Sequence, residues 1–384
     1  MNKKLLILAL SIALPACSHL DNYMLGKDNT PTPTELEPLK PKVALQEKWS
    51  VPVSSKVSNA NLKLKPAIVG NVVYTADPSG SIEAVDKSNG KTLWTKKLAN
   101  GIVSGPSVSA GSVALGTDSS SIVLLKQVDG SELWTAKVSS EVLSKPIITN
   151  SKIIAKTIDG NLYAFDVVTG KQLWVSEHGA PSLILKASSS PVIVANKLIL
   201  VGYSDGKMDA VDLDTGHLVW QRSIAYASGS SDVERLVDID ADPIVRGNVV
   251  YLASYQGYVG ALSLVDGQFL WRKPASVYKN MAIDDTTLYI TDSDDVVWAL
   301  NRQTGQVNWK QVALKARGLT EPVLMGNRLV VGDKTGLLHV LAKNNGNLLS
   351  RAQLGGSITT APSVSSNNIY VMTNNGKLNR FSVS

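Results

Sequence analysis

The segment GSIEAVDKSNGKTLW, residues 80–94, decides the fold because the chain repeats its pattern at nearly regular intervals. An alternating strand runs into an Asp, a turn ends in Gly, and a Trp follows four residues later. The turn glycines are Gly90, Gly130, Gly170, Gly216, Gly267, Gly305 and Gly346. The residues four positions on are Trp94, Trp134, Trp174, Trp220, Trp271, Trp309 and Ser350. A large ring at one fixed place in each copy indicates a packing residue.

A second marker opens each copy with a short apolar strand. The residues at this place are Pro66, Pro106, Pro146, Pro191, Pro243, Met281, Pro322 and Pro362. Each copy then contains four short strands joined by turns rich in Gly, Asn and Asp. Four strands in about 40 residues are typical of one blade of a β-propeller.

The two ends of the repeat region predict how the ring closes. Seven copies are complete, and the eighth begins at Pro362 but stops one strand short. The segment LQEKW, residues 45–49, resembles the Trp-containing strand of the other copies. We therefore expect an all-β fold, an eight-bladed β-propeller of four-stranded blades, with the last blade closed by the N-terminal strand. Closure of this kind removes two exposed strand edges.

The first residues of the chain have the pattern of an export signal. Lys3 and Lys4 precede an apolar stretch, residues 5–14, which is much shorter than the ~20 residues of a membrane-spanning helix. The sequence LPAC then ends at Cys17, the single cysteine of the chain. This box resembles a bacterial lipobox, in which the thiol is acylated after cleavage. An Asp directly after the cysteine would resemble a signal for retention in the inner membrane, so Ser18 favours the outer membrane. The alternative to a lipobox is an ordinary signal peptide cut nearby.

These patterns divide the chain into three parts. We predict a lipoprotein signal peptide in residues 1–16, a lipidated flexible tether with four prolines in residues 17–44, and the propeller in residues 45–384. The whole chain has a net charge of +6. The basic residues are scattered and form no basic run, which argues against nucleic-acid binding.

No pattern of residues predicts catalysis or a metal centre. The four histidines are not spaced as metal ligands, and the chain lacks a nucleophile elbow, a P-loop and a dinucleotide fingerprint. The sequence DIDAD, residues 238–242, begins like a calcium loop, but Pro243 stands where Gly is required and Val249 where Glu is required. We therefore expect no cofactor, no metal and no enzymatic activity.

The repeat is similar to the pyrroloquinoline-quinone-type propeller repeat. Residues 164–174, AFDVVTGKQLW, and 210–220, AVDLDTGHLVW, match its Ala-x-Asp-x-x-Thr-Gly-x-x-x-Trp core best. Enzymes with this repeat hold the quinone with calcium, acidic ligands and often a disulfide between adjacent cysteines. One cysteine cannot form that disulfide, so a quinone-dependent dehydrogenase-like propeller is kept only as an alternative.

Two segments in adjacent blades break the repeat, and such departures map to loops that often bind partners. They are APSLILK, residues 180–186, and the stretch 225–242, which contains ERLVDID. With the lipobox, the tether and the eight blades, they resemble the BamB family, lipoproteins of the outer-membrane β-barrel assembly machinery. The family string Arg-Leu-x-Asp-x-Asp-x-x-Pro is matched from Arg235 to Pro243. The string Pro-Ser-Leu-x-Leu-Arg is matched with Lys186 in place of Arg.

The resemblance implies a non-catalytic scaffold, monomeric in itself, that is lipid-anchored to the outer membrane of a Gram-negative bacterium and faces the periplasm. It implies binding to the POTRA domains of BamA, contact with other Bam subunits, and assistance to β-barrel insertion. The partner-binding candidates are Leu183, Leu185, Lys186, Arg235, Asp238 and Asp240. We expect a small apolar patch with a charged rim supplied by the two aspartates. The alternatives are that these residues only order a long loop, or that the scaffold serves another periplasmic partner.

Overall fold

The computed structural model describes residues 31–54, 62–179, 188–226 and 236–384. Residues 34–384 form one compact unit. Within the described residues, 32 strands form eight four-stranded antiparallel sheets. None of the described residues belongs to a helix long and apolar enough to cross a membrane.

Each sheet is one blade, and its strands are hydrogen-bonded in chain order except in the last. Blade 1 contains β2 (Ala67–Val69), β3 (Val72–Ala76), β4 (Ser81–Asp86) and β5 (Thr92–Lys97). Blade 2 contains β6 (Ile102–Ser109), β7 (Ser112–Thr117), β8 (Ser121–Lys126) and β9 (Glu132–Lys137). Blade 3 contains β10 (Ile147–Ile148), β11 (Lys152–Lys156), β12 (Leu162–Asp166) and β13 (Gln172–Ser176). Blade 4 contains β14 (Val192–Val194), β15 (Leu198–Gly202), β16 (Lys207–Asp212) and β17 (Leu218–Ser223).

The second half of the ring follows the same plan. Blade 5 contains β18 (Ile244–Arg246), β19 (Val249–Ala253), β20 (Gly257–Ser263) and β21 (Phe269–Ala275). Blade 6 contains β22 (Ala282–Ile283), β23 (Thr287–Thr291), β24 (Val297–Asn301) and β25 (Val307–Gln311). Blade 7 contains β26 (Val323–Met325), β27 (Arg328–Gly332), β28 (Leu337–Ala342) and β29 (Leu348–Gln353). Blade 8 contains β30 (Ser363–Ser365), β31 (Asn368–Met372), β32 (Lys377–Val383) and β1 (Leu45–Pro52).

The N-terminal strand closes blade 8, which confirms the predicted eight-bladed propeller. Strand β1 pairs antiparallel with β32 from Leu45 opposite Val383 to Pro52 opposite Lys377. Its Trp49 ring lies 6.0 Å from the ring of Tyr370, centroid to centroid. The first and last described strands of the ring therefore share one sheet, and β32 has no free edge.

The recurring Trp and Gly form the seams between blades. The Trp174 indole N–H donates to the Leu213 carbonyl of the next blade, 3.3 Å away. A Cβ atom on Gly216 would lie 2.6 Å from the Trp174 ring, and the φ angle of Gly216 is +74°. Only glycine suits both the close approach and this left-handed conformation. The sequence pattern therefore records a repeated contact between neighbouring blades.

Residues 34–44, which the sequence predicts as the end of the tether, lie against blades 7 and 8. The backbone N–H of Lys42 donates to the Leu349 carbonyl at 2.7 Å. Buried Arg317 pairs with Asp333 and donates to the Thr34 carbonyl at 3.0 Å. Leu36 packs on an apolar cluster between blades 6 and 7. These contacts hold residues 34–44 against the propeller, although the sequence predicts a flexible tether there.

Candidate functional site

The predicted partner-binding residues fall into two groups. Leu183, Leu185, Lys186 and Arg235 lie outside the described residues, as does Cys17. Asp238 and Asp240 lie in residues 236–242, the described part of the connection between blades 4 and 5, which we call the 236–242 segment.

The 236–242 segment is wedged between two blades without forming a strand. The backbone N–H of Ile239 donates to the Tyr203 carbonyl at 3.2 Å, and that of Tyr255 donates to the Asp238 carbonyl at 2.9 Å. The Ile239 side chain is buried against Gly202, where an added Cβ would lie 2.4 Å from Ile239 Cγ2. Blade 4 and blade 5 together therefore fix the path of this segment.

The side chains of Asp238 and Asp240 are buried, with exposures of 0% and 1%. Val237 and Ile239 are also buried, so the alternation in sequence does not separate an inner face from an outer one. The expectation that the two aspartates supply an exposed, charged rim is therefore wrong. Burial, and then the neighbouring Asp238, raise the pKa of Asp240 to about 7, although Lys63 and Lys156 act in the opposite direction.

Lysines from blades 1 and 3 compensate the acidic residues of this segment. Lys63 donates to the Asp240 carbonyl at 3.0 Å and forms an ion pair with the Asp242 carboxylate. Lys156 is buried, donates to the Gly202 carbonyl at 2.6 Å, and lies 5.2 Å from the Tyr203 ring centroid. Burial, and then the charge of Lys63, lower the pKa of Lys156 to about 7. Electrostatic attraction to these two lysines therefore holds the 236–242 segment towards blades 1 and 3.

Asp242 is committed to structural contacts. The Ser190 backbone N–H donates to its Oδ1 at 2.6 Å, and the Asn280 side-chain amide donates to its Oδ2 at 3.3 Å. Among the residues that the structure describes, no three His, Cys, Asp or Glu side chains are arranged to hold a metal ion. The chemistry of this cluster is charge compensation that orders a loop.

A second buried cluster lies where the chain leaves blade 3, just before residues 180–187. His178 Nδ1 is 2.7 Å from Asp209 Oδ2, and its Nε2 is 3.1 Å from Asp205 Oδ2. The ring stacks on Tyr203 with the centroids 3.6 Å apart. Burial alone would lower the pKa of His178, but the hydrogen bonds with the two carboxylates outweigh it and raise the pKa to about 9. Sequence reasoning missed this cluster because its partners lie 27 and 31 residues away.

We expect the stability contributed by His178 to depend on pH. Its folded pKa of about 9 is above the unfolded value of 6.5, so the contribution is complete below pH 6.5 and is lost as the pH rises through 9. In urea unfolding, His178→Gln should lower the free energy of unfolding by about 3 kcal/mol more at pH 6 than at pH 10. His217→Gln, at an exposed position, is the control. An equal loss at both pH values would show that the ring acts only by packing.

The chain matches one known protein family over most of its length. The family model described as "Outer membrane protein assembly factor BamB" matches residues 78–311 and 312–384. The outer membrane protein assembly factor BamB of Legionella pneumophila is 64% identical over 385 residues, covering 100% of both chains. The crystal structure of BamB from Moraxella catarrhalis is 26% identical, with a TM-score of 0.80, covering 88% of this chain and 100% of that one.

The quinone enzymes share the fold alone. Quinohemoprotein alcohol dehydrogenase from Comamonas testosteroni has a TM-score of 0.70 but only 15% identity, and the match covers 88% of this chain and 76% of that one. The family model spans far more than half of the chain, and the Legionella relative matches from end to end. The chain therefore belongs to the BamB family of outer membrane protein assembly factors.

Proposed function

We propose that this protein is a non-catalytic periplasmic scaffold that binds the POTRA domains of BamA and, with other Bam subunits, assists insertion of β-barrel proteins into the outer membrane. The observation that carries the proposal is the 236–242 segment, an irregular connection held rigidly between blades 4 and 5. A loop that must present a fixed surface needs such support, because ordering a mobile loop on binding costs affinity. The names of the relatives support the assembly role.

The burial of the two aspartates changes the role that we propose for them. Asp238 and Asp240 act as positioning residues, because side chains with 0% and 1% exposure do not reach a partner. The proposed contacts are Leu183, Leu185, Lys186 and Arg235. Lys186 supplies a cation without the two-pronged donor geometry of arginine.

A matched pair of glycine substitutions tests this function. Gly202→Ala places a Cβ 2.4 Å from Ile239 Cγ2, and Gly332→Ala places one 2.2 Å from Ile358 Cγ2 at the equivalent place in blade 7. Both should lose about 1–3 kcal/mol of stability through overpacking. Only Gly202→Ala displaces the 236–242 segment, so only it should weaken binding to a purified BamA POTRA fragment, by tenfold or more.

Binding and melting temperature are measured side by side for both variants. Equal losses of affinity would mean that binding follows overall folding and that the segment merely orders a loop. Unchanged affinity in both variants would place the interface elsewhere on the ring. No binding of the wild-type protein to the POTRA fragment would favour another periplasmic partner. Reduction of a dye after addition of the quinone and calcium would instead favour a dehydrogenase.

The proposed anchor is a lipid on Cys17 that holds the protein at the outer membrane. We expect Cys17→Ala to move the protein from the outer-membrane fraction to the soluble periplasmic fraction, because one protein contact replaces an acyl anchor poorly. The measurement is cell fractionation, repeated with Gly202→Ala in the same chain to weaken retention by BamA. Wild-type membrane association of the double variant would show that the lipid does not localise the protein.

A further inference from the structure

A cavity of about 640 Å³ lies at the centre of the ring. Its wall is formed mainly by the segments that lead into the innermost strands of blades 1, 3, 5, 6, 7 and 8, together with Gly105 of blade 2 and Lys334 in the turn between β27 and β28. Ligand sites for small molecules commonly have volumes of 300–1,000 Å³ and a mainly apolar wall with few polar groups. The cavity therefore has the size of a small-molecule site, and Asp242 is the residue of the 236–242 segment that lines it.

The wall of this cavity carries an excess of positive charge. The five lysines are Lys63, Lys65, Lys145, Lys279 and Lys334, and the two carboxylates are Asp242 and Glu321. Lys63 engages Asp242, and Lys279 forms a 2.6 Å ion pair with Asp295 outside the wall. The Lys65 amino group is 3.7 Å from a Glu321 carboxylate oxygen. The remaining wall lysines are Lys145 and Lys334.

Lys145 and Lys334 form no ion pair with any residue in the described parts of the chain. Both side chains are exposed, and both line the cavity. Although the Lys145 side chain opens to the cavity, the protein atoms around it displace water and so lower its pKa; Asp242 opposes this, and repulsion by Lys65 and Lys63 adds to it. An ammonium group in such a place gains free energy when an anion binds beside it.

The rest of the wall suits an organic molecule better than a bare ion. Apolar residues from five blades line the cavity, and the Tyr278 ring stands beside them, 6.2 Å from the ring of Tyr255. The apolar wall includes Pro66, Ile244, Met281, Val323, Leu324 and Ala361. Hydroxyl groups of Thr359 and Thr360 add hydrogen-bonding capacity to the wall.

We propose that this cavity binds a small organic polycarboxylate, with Lys145 and Lys334 each binding a carboxylate group and the apolar wall contacting the body of the molecule. Cations are repelled by the lysines, and a neutral ligand leaves both ammonium groups without a counter-charge. Inorganic anions satisfy the charges but bury no apolar wall. The proposal requires a molecule with at least two negative groups on a compact carbon skeleton.

Calorimetric titration with benzene-1,3,5-tricarboxylate in low salt tests the proposal on the purified full-length protein in detergent. We expect saturable binding to one site, weakened at least tenfold, or about 1.4 kcal/mol, by Lys145→Met and by Lys334→Met. Lys171→Met, at an exposed turn between β12 and β13, should leave the affinity unchanged. Since Lys334 lies in an exposed turn between β27 and β28, its variant keeps the test valid if Lys145→Met destabilises the fold.

Several results would overturn the proposal. These are no binding to the wild-type protein, equal weakening by Lys171→Met, or equal binding of inorganic phosphate, which would indicate a general anion site. Tighter binding of a hexaglutamate peptide with the same dependence on Lys145 and Lys334 would mean that the cavity takes an acidic peptide instead. Binding to the POTRA fragment is measured on the same variants and should not change, so this test and that of the proposed function fail separately.

Discussion

We expect deletion of residues 18–52 to abolish the cooperative unfolding transition and deletion of residues 18–33 to leave it intact, because β1 is part of the core. Strand β1 supplies the whole partner edge of β32. Trp49 and Val51 pack on a cluster that includes Tyr370 and Leu378. Losing one large buried side chain typically costs about 3–5 kcal/mol, and a domain has only about 5–15 kcal/mol in total. Thermal unfolding followed by circular dichroism makes the measurement.

An intermediate deletion, of residues 18–44, separates the strand from the segment that precedes it. It removes Leu36 and the hydrogen bonds to Arg317 and Leu349 but keeps β1. We expect a cooperative transition at a lower temperature than in the 18–33 deletion. Aggregation should appear only when β1 is missing, because an open ring exposes the edge of β32. Equal melting of all three proteins would show that blade 8 does not need β1.

Gly216→Ala is expected to be strongly destabilising, although it is a conservative substitution at a blade seam. The new methyl group would lie 2.6 Å from the Trp174 ring, in a residue with a φ angle of +74°. The left-handed conformation alone costs an alanine about 1–2 kcal/mol. Displacing a packed ring adds about 1–3 kcal/mol of overpacking. We therefore expect a loss of about 3 kcal/mol or more in urea unfolding.

Gly70→Ala is the matched control for backbone strain. Gly70 has a φ angle of +58°, but a Cβ there would meet no atom within 4 Å. It should lose only the cost of the left-handed conformation, so the difference between the two variants isolates the contact with Trp174. Equal losses would mean that the seam rearranges around the added methyl group at no cost.

The architecture could be predicted from the sequence because each blade is local. The strands of blade 4, from Val192 to Ser223, pair with their neighbours in chain order, so alternation and turns identify them without knowledge of the rest. The closure of blade 8 could also be predicted, since an incomplete copy at one end and a lone Trp strand at the other complement each other. Both predictions follow from the period of the repeat.

The environment of the candidate site could not be predicted in the same way. Lys63 and Asp242 are 179 residues apart in the chain, and no periodicity indicates that they meet. Alternation around Asp240 suggested one solvent-facing side, but blades 4 and 5 cover both sides. The contacts of residues 34–44 depend on Arg317 and Leu349, which lie far along the chain. Contacts between distant blades therefore decide the electrostatics that local patterns leave open.

The pairing of β1 with β32 also fixes an order of events during biogenesis. Domains fold as their segments become available, beginning with the N-terminal ones. Blades 1 to 7 can form progressively, but β1 must wait until residues 377–383 have been synthesised. During this interval Trp49 and Val51 lack their final contacts. The period of greatest exposure to proteases and to aggregation therefore ends only when the last strand is complete.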